Sequence, residues 1–171
     1  MDKISYNNFI KDFTPESIIQ NFVGDFNAGL NVCEEICDRW ADDPDRVALR
    51  YERADGTGGE LSFATLMKRS AQFANFLTAQ GIGKGDRISA LLTRTPELMI
   101  AVLGALRAGA VYQPMFTAFG PGAIEYRVQK ADTKLIITNP EQWSKLAEVN
   151  GLPMTMLVAE DDHELAHEAD F

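Results

Sequence analysis

The feature that most constrains this chain is a regular alternation of helical and strand-like segments from residue 62 onward. Ser62 stands at the N-cap position of a long helix to about Gln80, with Leu66, Phe73, Phe76 and Leu77 on one stripe. Gly81-Ile-Gly-Lys-Gly-Asp86 reads as a glycine cap and a turn. A buried strand follows at Arg87–Thr93, a helix opened by Pro96 and closed by Ala108-Gly109, and a short strand at Ala110–Pro114. After the loop Met115–Gly120 come a helix at Pro121–Lys130, a strand at Lys134–Thr138, a helix at Glu141–Val149 and a last strand at Met154–Ala159. Strands joined through helices by short connections cannot pair as hairpins. They line up as a mostly parallel sheet with helices on both faces, so the fold class is α/β.

Upstream of residue 62 the pattern differs. Val47–Tyr51, Asp55-Gly-Thr-Gly-Gly59 and Glu60–Phe63 read as a β-hairpin with a glycine-rich turn. Thr14-Pro15-Glu16 marks a helix start within an amphipathic stretch from Asn7 to Gln20. A second helix is expected from Val32 to Trp40, with Val32, Ile36 and Trp40 as its packed face. Cys33 and Cys37 are the only two cysteines. Their spacing suits a disulfide poorly, and they read as reduced, half-buried helix residues. The expected organisation is an N-terminal extension over 1–30, an α/β unit over 31–159 and an acidic linker or tail over 160–171.

Charge excludes some functions. A net charge of −9 with a pI of about 4.7 leaves no basic face for nucleic acid, and no Lys/Arg cluster occurs. An anionic ligand must then bind in a local pocket. The N-terminus has no apolar run of a secretory signal, and the longest apolar stretch, Leu98–Leu106, is too short to span a bilayer. Reduced cysteines and no such signal imply a cytoplasmic protein.

Three stretches then carry a resemblance. Leu61-Ser-Phe-Ala-Thr-Leu66 matches L-[ST]-[YF]-x-x-L, Gly81-Ile-Gly-Lys-Gly-Asp-Arg87 matches G-[VI]-x-x-G-D-x-V up to its last position, and Ala105-Leu-Arg-Ala-Gly-Ala-Val-Tyr-Gln-Pro114 matches A-x-[KR]-A-G-A-x-Y-x-P. In this order and spacing they resemble the adenylate-forming family of acyl-CoA synthetases, luciferases and peptide-synthetase adenylation domains. The resemblance implies the first subdomain of the adenylate-forming ligase fold. Phe116-Thr-Ala-Phe-Gly-Pro-Gly-Ala-Ile-Glu-Tyr-Arg127 is similar to a loop of acetyl-CoA and medium-chain acyl-CoA synthetases. By position, the resemblance makes Thr117, Ala118 and Arg127 contacts for coenzyme A. A guanidinium can grip a phosphate or stack on adenine. The structural alternative is that Arg127 caps a surface helix or pairs with an acidic neighbour.

For a full-length enzyme the resemblance implies a carboxylic acid, ATP with Mg, and coenzyme A as reactants. The family's S-G-[ST]-T-G-x-P-K phosphate loop does not occur in these 171 residues, nor do its Y-G-x-T-E segment and C-terminal Lys. No catalytic residue and no metal ligand are therefore expected in this chain. Two readings stand: an N-terminal fragment of an acid–CoA ligase, inactive alone, or a stand-alone non-catalytic module that binds coenzyme A, a nucleotide or a partner protein.

Two motifs are decoys. His163-Glu-Leu-Ala-His167 has the H-E-x-x-H spacing of zinc hydrolases but lies in the acidic terminal stretch with no third ligand after it. Gly81-Ile-Gly-Lys-Gly85 closes a helix, whereas a dinucleotide loop opens one. Lys84 and Arg87 beside it read as a solvated turn. Trp40 and Trp143 read as packing residues.

Overall fold

Residues 6–53 and 55–158 are described by a computed structural model. In chain order the elements are α1 (Tyr6–Asp12), α2 (Pro15–Ile19), α3 (Val32–Ile36), a 3-10 turn (Asp38–Trp40), β1 (Val47–Glu52), β2 (Gly58–Ser62) and α4 (Phe63–Ala79). Then come β3 (Arg87–Leu91), α5 (Pro96–Arg107), β4 (Val111–Pro114), α6 (Pro121–Ala131), β5 (Thr133–Thr138), α7 (Pro140–Leu146) and β6 (Met154–Leu157). The sequence therefore places the elements within a few residues. α1, as a helix of its own, is an addition.

β3 and β5 are buried nearly throughout because both of their faces are covered. Successive side chains point to opposite sides. Ile88, Ala90, Leu135 and Ile137 enter one core with Leu66, Phe73 and Leu77 of α4 and Ile100 and Leu103 of α5. Leu91 and Ile136 enter a smaller core on the other face, with Ile124 and Val128 of α6, Leu146 of α7 and Met115. The sheet runs in the order β4-β3-β5-β6 with every pair parallel, and β1-β2 form a separate antiparallel hairpin. The first crossover goes from β3 to β4 on one side. The next leaves β4 and arrives at β5 on the other side of β3, so winding direction switches between β3 and β5.

Local chemistry explains where the elements end. The Ser62 hydroxyl accepts from the Thr65 amide at 3.2 Å and starts α4. Gly81 ends it with φ of 74°, a left-handed residue that lets the Ile82 amide reach back to the Leu77 carbonyl at 2.8 Å. α4 and α5 approach closely at Gly104, where a Cβ would stand 2.5 Å from Phe73 Cδ1. Under the sheet, Ser89 and Thr133 donate to the Gln113 side-chain carbonyl at 2.6 and 2.9 Å, which satisfies the polar side chains of three neighbouring strands.

Two expectations need correction. The inward face of α3 carries Cys33 and Cys37, 0% and 1% exposed, while Val32 and Ile36 are 45% and 50% exposed. Helix α3 is five residues long and breaks into a 3-10 turn, so the spacing of four from Val32 to Trp40 never forms one stripe. Trp40 is covered by cations instead: the Arg46 and Arg39 guanidinium carbons lie 4.3 and 4.9 Å from its ring centroid. Arg87 is also more than part of a solvated turn. Its guanidinium donates to the Ala131 and Asp132 carbonyls at 2.6 and 2.9 Å and so caps the C-terminus of α6.

Candidate functional site

The sequence-predicted residues lie on the loop after β4 and on α6. Pro114 ends β4 because it cannot donate to a further ladder. A turn then closes with the Phe119 amide on the Phe116 carbonyl at 2.9 Å. Pro121 starts α6, which carries Arg127 two turns later. The Arg127 guanidinium carbon lies 4.1 Å from the Phe119 ring centroid, so the turn and the helix are clasped by a cation–π contact. One N–H group of Arg127 donates to the Ala123 carbonyl at 3.0 Å. Among the described residues no carboxylate pairs with it, which removes the acidic neighbour of the structural alternative.

Thr117 is half-buried and Ala118 is exposed. The carbonyl of Thr117 receives the ammonium of Lys145 on α7, which also donates to the Gln142 side chain at 2.7 Å. Lys145 is a residue that sequence reasoning missed. It fixes the turn from the α7 side while Arg127 fixes it from α6. Phe116, 72% exposed, projects outward beside them. The arrangement offers a rigid turn, an exposed ring face and guanidinium N–H groups with no partner among the described residues, a donor set that fits a phosphate or a nucleotide base.

A second feature has no counterpart in the motif reading. A cleft of about 390 Å³ opens at the carboxyl ends of the strands, between Leu92, Thr93 and Arg94 after β3, Asn139 after β5, Val158 after β6 and Tyr51 of the hairpin. It therefore lies at the switch point between β3 and β5, where open α/β sheets receive ligands. Asn139 is 3% exposed and caps α7 by accepting from the Gln142 amide at 3.1 Å. Glu52, Asp55, Glu97 and Glu141 share the rim with Arg53 and Arg94, so the cleft presents both signs of charge. The strand-ending runs Thr93-Arg94-Thr95-Pro96 and Thr138-Asn139-Pro140 are the available sequence signal, since each puts polar groups just after an apolar strand.

Among the described residues no helix is long and apolar enough to cross a membrane, and no cluster of metal-ligating side chains occurs. The H-E-x-x-H stretch lies outside the described residues.

Comparison with known proteins agrees with this architecture. The family model "AMP-binding enzyme" matches residues 37–170. Acetyl-coenzyme A synthetase of Streptomyces avermitilis is 35% identical over 135 residues, covering 78% of this chain and 20% of that protein. That of Laribacter hongkongensis is 33% identical over 138 residues, covering 80% and 20%. The crystal structure of Brucella canis acyl-CoA synthetase superposes with a TM-score of 0.85 at 43% identity, over 91% of this chain and 29% of that one. ATP-bound MatB from Rhodopseudomonas palustris gives 0.63 at 28% identity, over 77% and 25%. The chain thus spans about a fifth of the length of these curated relatives. With the parallel sheet, the three motifs and a family match over most of its length, the chain belongs to the AMP-binding, adenylate-forming enzyme family as an N-terminal part of its acyl-CoA synthetase fold.

Proposed function

We propose that this chain forms the first part of an ATP-dependent acid–CoA ligase and supplies one wall of the coenzyme A entrance. The observation that carries the reading is the turn Phe116–Phe119, clasped between Arg127 and Lys145, with the guanidinium N–H groups other than the one on Ala123 free of a partner among the described residues. In the ligase reaction a carboxylate attacks the α-phosphate of ATP, which gives acyl-AMP and pyrophosphate. The thiolate of coenzyme A then displaces AMP and leaves the acyl thioester. Mg neutralises charge on the ATP phosphates when bound.

This chain's residues act in the second step. Arg127 would hold a phosphate of coenzyme A or lie on its adenine, and the backbone of Thr117 and Ala118 would flank it. Lys145 would keep that backbone in place. The first step draws on a phosphate loop that these 171 residues do not contain, so the chain alone performs no adenylation. The similarity of the loop to acetyl-CoA and medium-chain synthetases favours a short or medium-chain acid.

Two measurements test this. Pyrophosphate exchange into ATP by the purified 171-residue chain should be absent with acetate and with octanoate, and sustained exchange would sink the division of labour. Titration with coenzyme A should shift the amide resonances of Thr117 and Ala118. Arg127→Ala should weaken that binding about tenfold or more, the loss of one charge-assisted contact. An unchanged dissociation constant would remove Arg127 from the site.

A further inference from the structure

The first turn of α3 and the residue that closes it place two thiols in the interior beside a cation, and nothing in the ligase reading uses them. Cys33 and Cys37 are both enclosed in the main core. Arg107, at the end of α5, donates to the Cys33 sulfur at 3.1 Å and to both Asp38 carboxylate oxygens at 2.6 and 2.7 Å. Ser70 of α4 receives the same guanidinium at 3.2 Å, and its hydroxyl lies 4.0 Å from the Cys33 sulfur. On its other side Asn31 donates to the Arg107 carbonyl at 3.3 Å and, through its side-chain oxygen, accepts from the Cys33 amide at 2.9 Å. A guanidinium within reach of a buried sulfur favours the thiolate.

We propose that Cys33 and Cys37 form a peroxide-responsive dithiol, with Cys33 the attacking sulfur and Cys37 the resolving one. The Cys33 thiolate attacks the O–O bond of hydrogen peroxide. A sulfur–oxygen bond forms, the O–O bond breaks, and hydroxide leaves to become water. The Cys37 sulfur then attacks the Cys33 sulfenic acid; a sulfur–sulfur bond forms, the sulfur–oxygen bond breaks, and the departing oxygen takes the Cys37 proton as the second water. Two thiols and one peroxide become one disulfide and two waters.

Geometry supports the second step more than the residue spacing suggests. In a regular helix, residues four apart hold their Cβ atoms about 5–6 Å apart, too far for a disulfide at about 3.8 Å. Cys37 is not in a regular helix. Its φ of −126° and ψ of −64° put it off α3 at the junction with the 3-10 turn, where its side-chain direction is no longer that of a helical residue. The four-residue rise of about 6 Å between Cα atoms is within the range disulfides span. Access comes from local opening: α3 is five residues long and exposes Val32 and Ile36 on its outer side. The neighbouring Cys37 side chain and the Arg107 charge, working against burial and Asp38, hold Cys33 down to about 7. The Cys33 side chain and burial push up Cys37, whose thiol donates to the Phe63 carbonyl at 3.8 Å.

The 171-residue chain has only these two cysteines, so an intramolecular disulfide has a single pairing. Treatment with hydrogen peroxide should lower the intact mass by two hydrogens and block both sulfurs to iodoacetamide until dithiothreitol is added. Cys37→Ser should instead accumulate a sulfenic acid at Cys33, captured by dimedone. With Cys33 ionising near 7, its oxidation should speed up about tenfold from pH 6 to pH 8 and then level off. The proposal is overturned if the wild-type mass is unchanged, if the product is an intermolecular dimer, or if the rate climbs with pH like that of an ordinary thiol near 8.5. The wild-type mass and pH measurements need no variant, so a poorly folding Cys37→Ser leaves the test intact. None of these readouts depends on the ligase reading.

Discussion

Helices α2 and α4 begin in the same way and end very differently. Thr14 caps α2 by accepting from the Ser17 amide at 3.2 Å, and Ser17 returns the bond to complete a capping box, with Pro15 at the first position. Ser62 caps α4 with the same chemistry and no proline. Yet α2 runs five residues and buries none, while α4 runs 17 residues and buries Leu66, Ser70, Phe73, Ala74 and Leu77. A cap fixes where a helix starts. Burial against the sheet decides how far it continues, because a short helix without tertiary packing is marginal in water. The region from α1 through α2 follows the same rule, with Phe9, Phe13 and Ile18 all exposed.

The contrast can be broken or sharpened by substitution. Leu77→Ala removes a fully enclosed side chain from the main core and should cost about 4 kcal/mol, read as a lower urea midpoint. A surface-like cost there would show that α4 is not held by the sheet. Gly104→Ala drives a methyl toward Phe73 and the Ser70 carbonyl at 2.5 and 2.9 Å and should cost about 2 kcal/mol, since backbone on one side cannot move away. The paired caps come next. Ser62→Ala should lower global stability by about 1 kcal/mol, whereas Thr14→Ala should change it by less than about 0.5 kcal/mol and show only as faster amide exchange at Ser17. Equal global effects would erase the distinction between the two helices.

The smallest effect on global stability concerns the latch that ties the segment after α2 to α3. The Glu35 carboxylate accepts from the Gly24 amide at 2.9 Å and the Val23 amide at 3.0 Å, and pairs with Arg39 at 3.4 Å. These backbone donors, Gly24 first, hold the carboxyl below the usual glutamate range. A depressed carboxylate contributes above its unfolded pKa and loses that contribution as pH falls through the folded value. Acidification below the ordinary glutamate range should therefore loosen residues 22–24 first, seen as proteolysis there while the near-ultraviolet spectrum of the body is unchanged. Glu35→Gln should show that susceptibility already at neutral pH.

The α/β body was readable because its signals are local. A glycine at Gly81, prolines at Pro96 and Pro121, and switches between helical and strand-like apolar runs each act over a few residues, and the elements fall near those marks. The motif reading singles out Thr117, Ala118 and Arg127 by position alone. It could not show that Phe119 and Lys145 hold them, since Lys145 is 28 residues from Thr117. The packed face of α3 is not legible from its own residues for a related reason. Val32 and Ile36 are more hydrophobic than the cysteines, but Arg107 at the end of α5 needs Asp38, and turning Asp38 toward it carries Cys33 and Cys37 inward.

What the sequence by itself determined is the class of fold, the order of its elements and the family, because periodicity, caps and motif spacing are written over neighbouring residues. What only the tertiary structure decided is which of those residues meet. The Arg107 cluster joins residues 31, 33, 38, 70 and 107, and the cleft at the switch point joins the hairpin to three separate strand ends. A guanidinium and its carboxylate partner must satisfy each other wherever the chain is buried, and polar strand ends gather wherever parallel strands stop together. Both outcomes depend on which strand lies beside which, and the order β4-β3-β5-β6 is set by packing across the whole sheet.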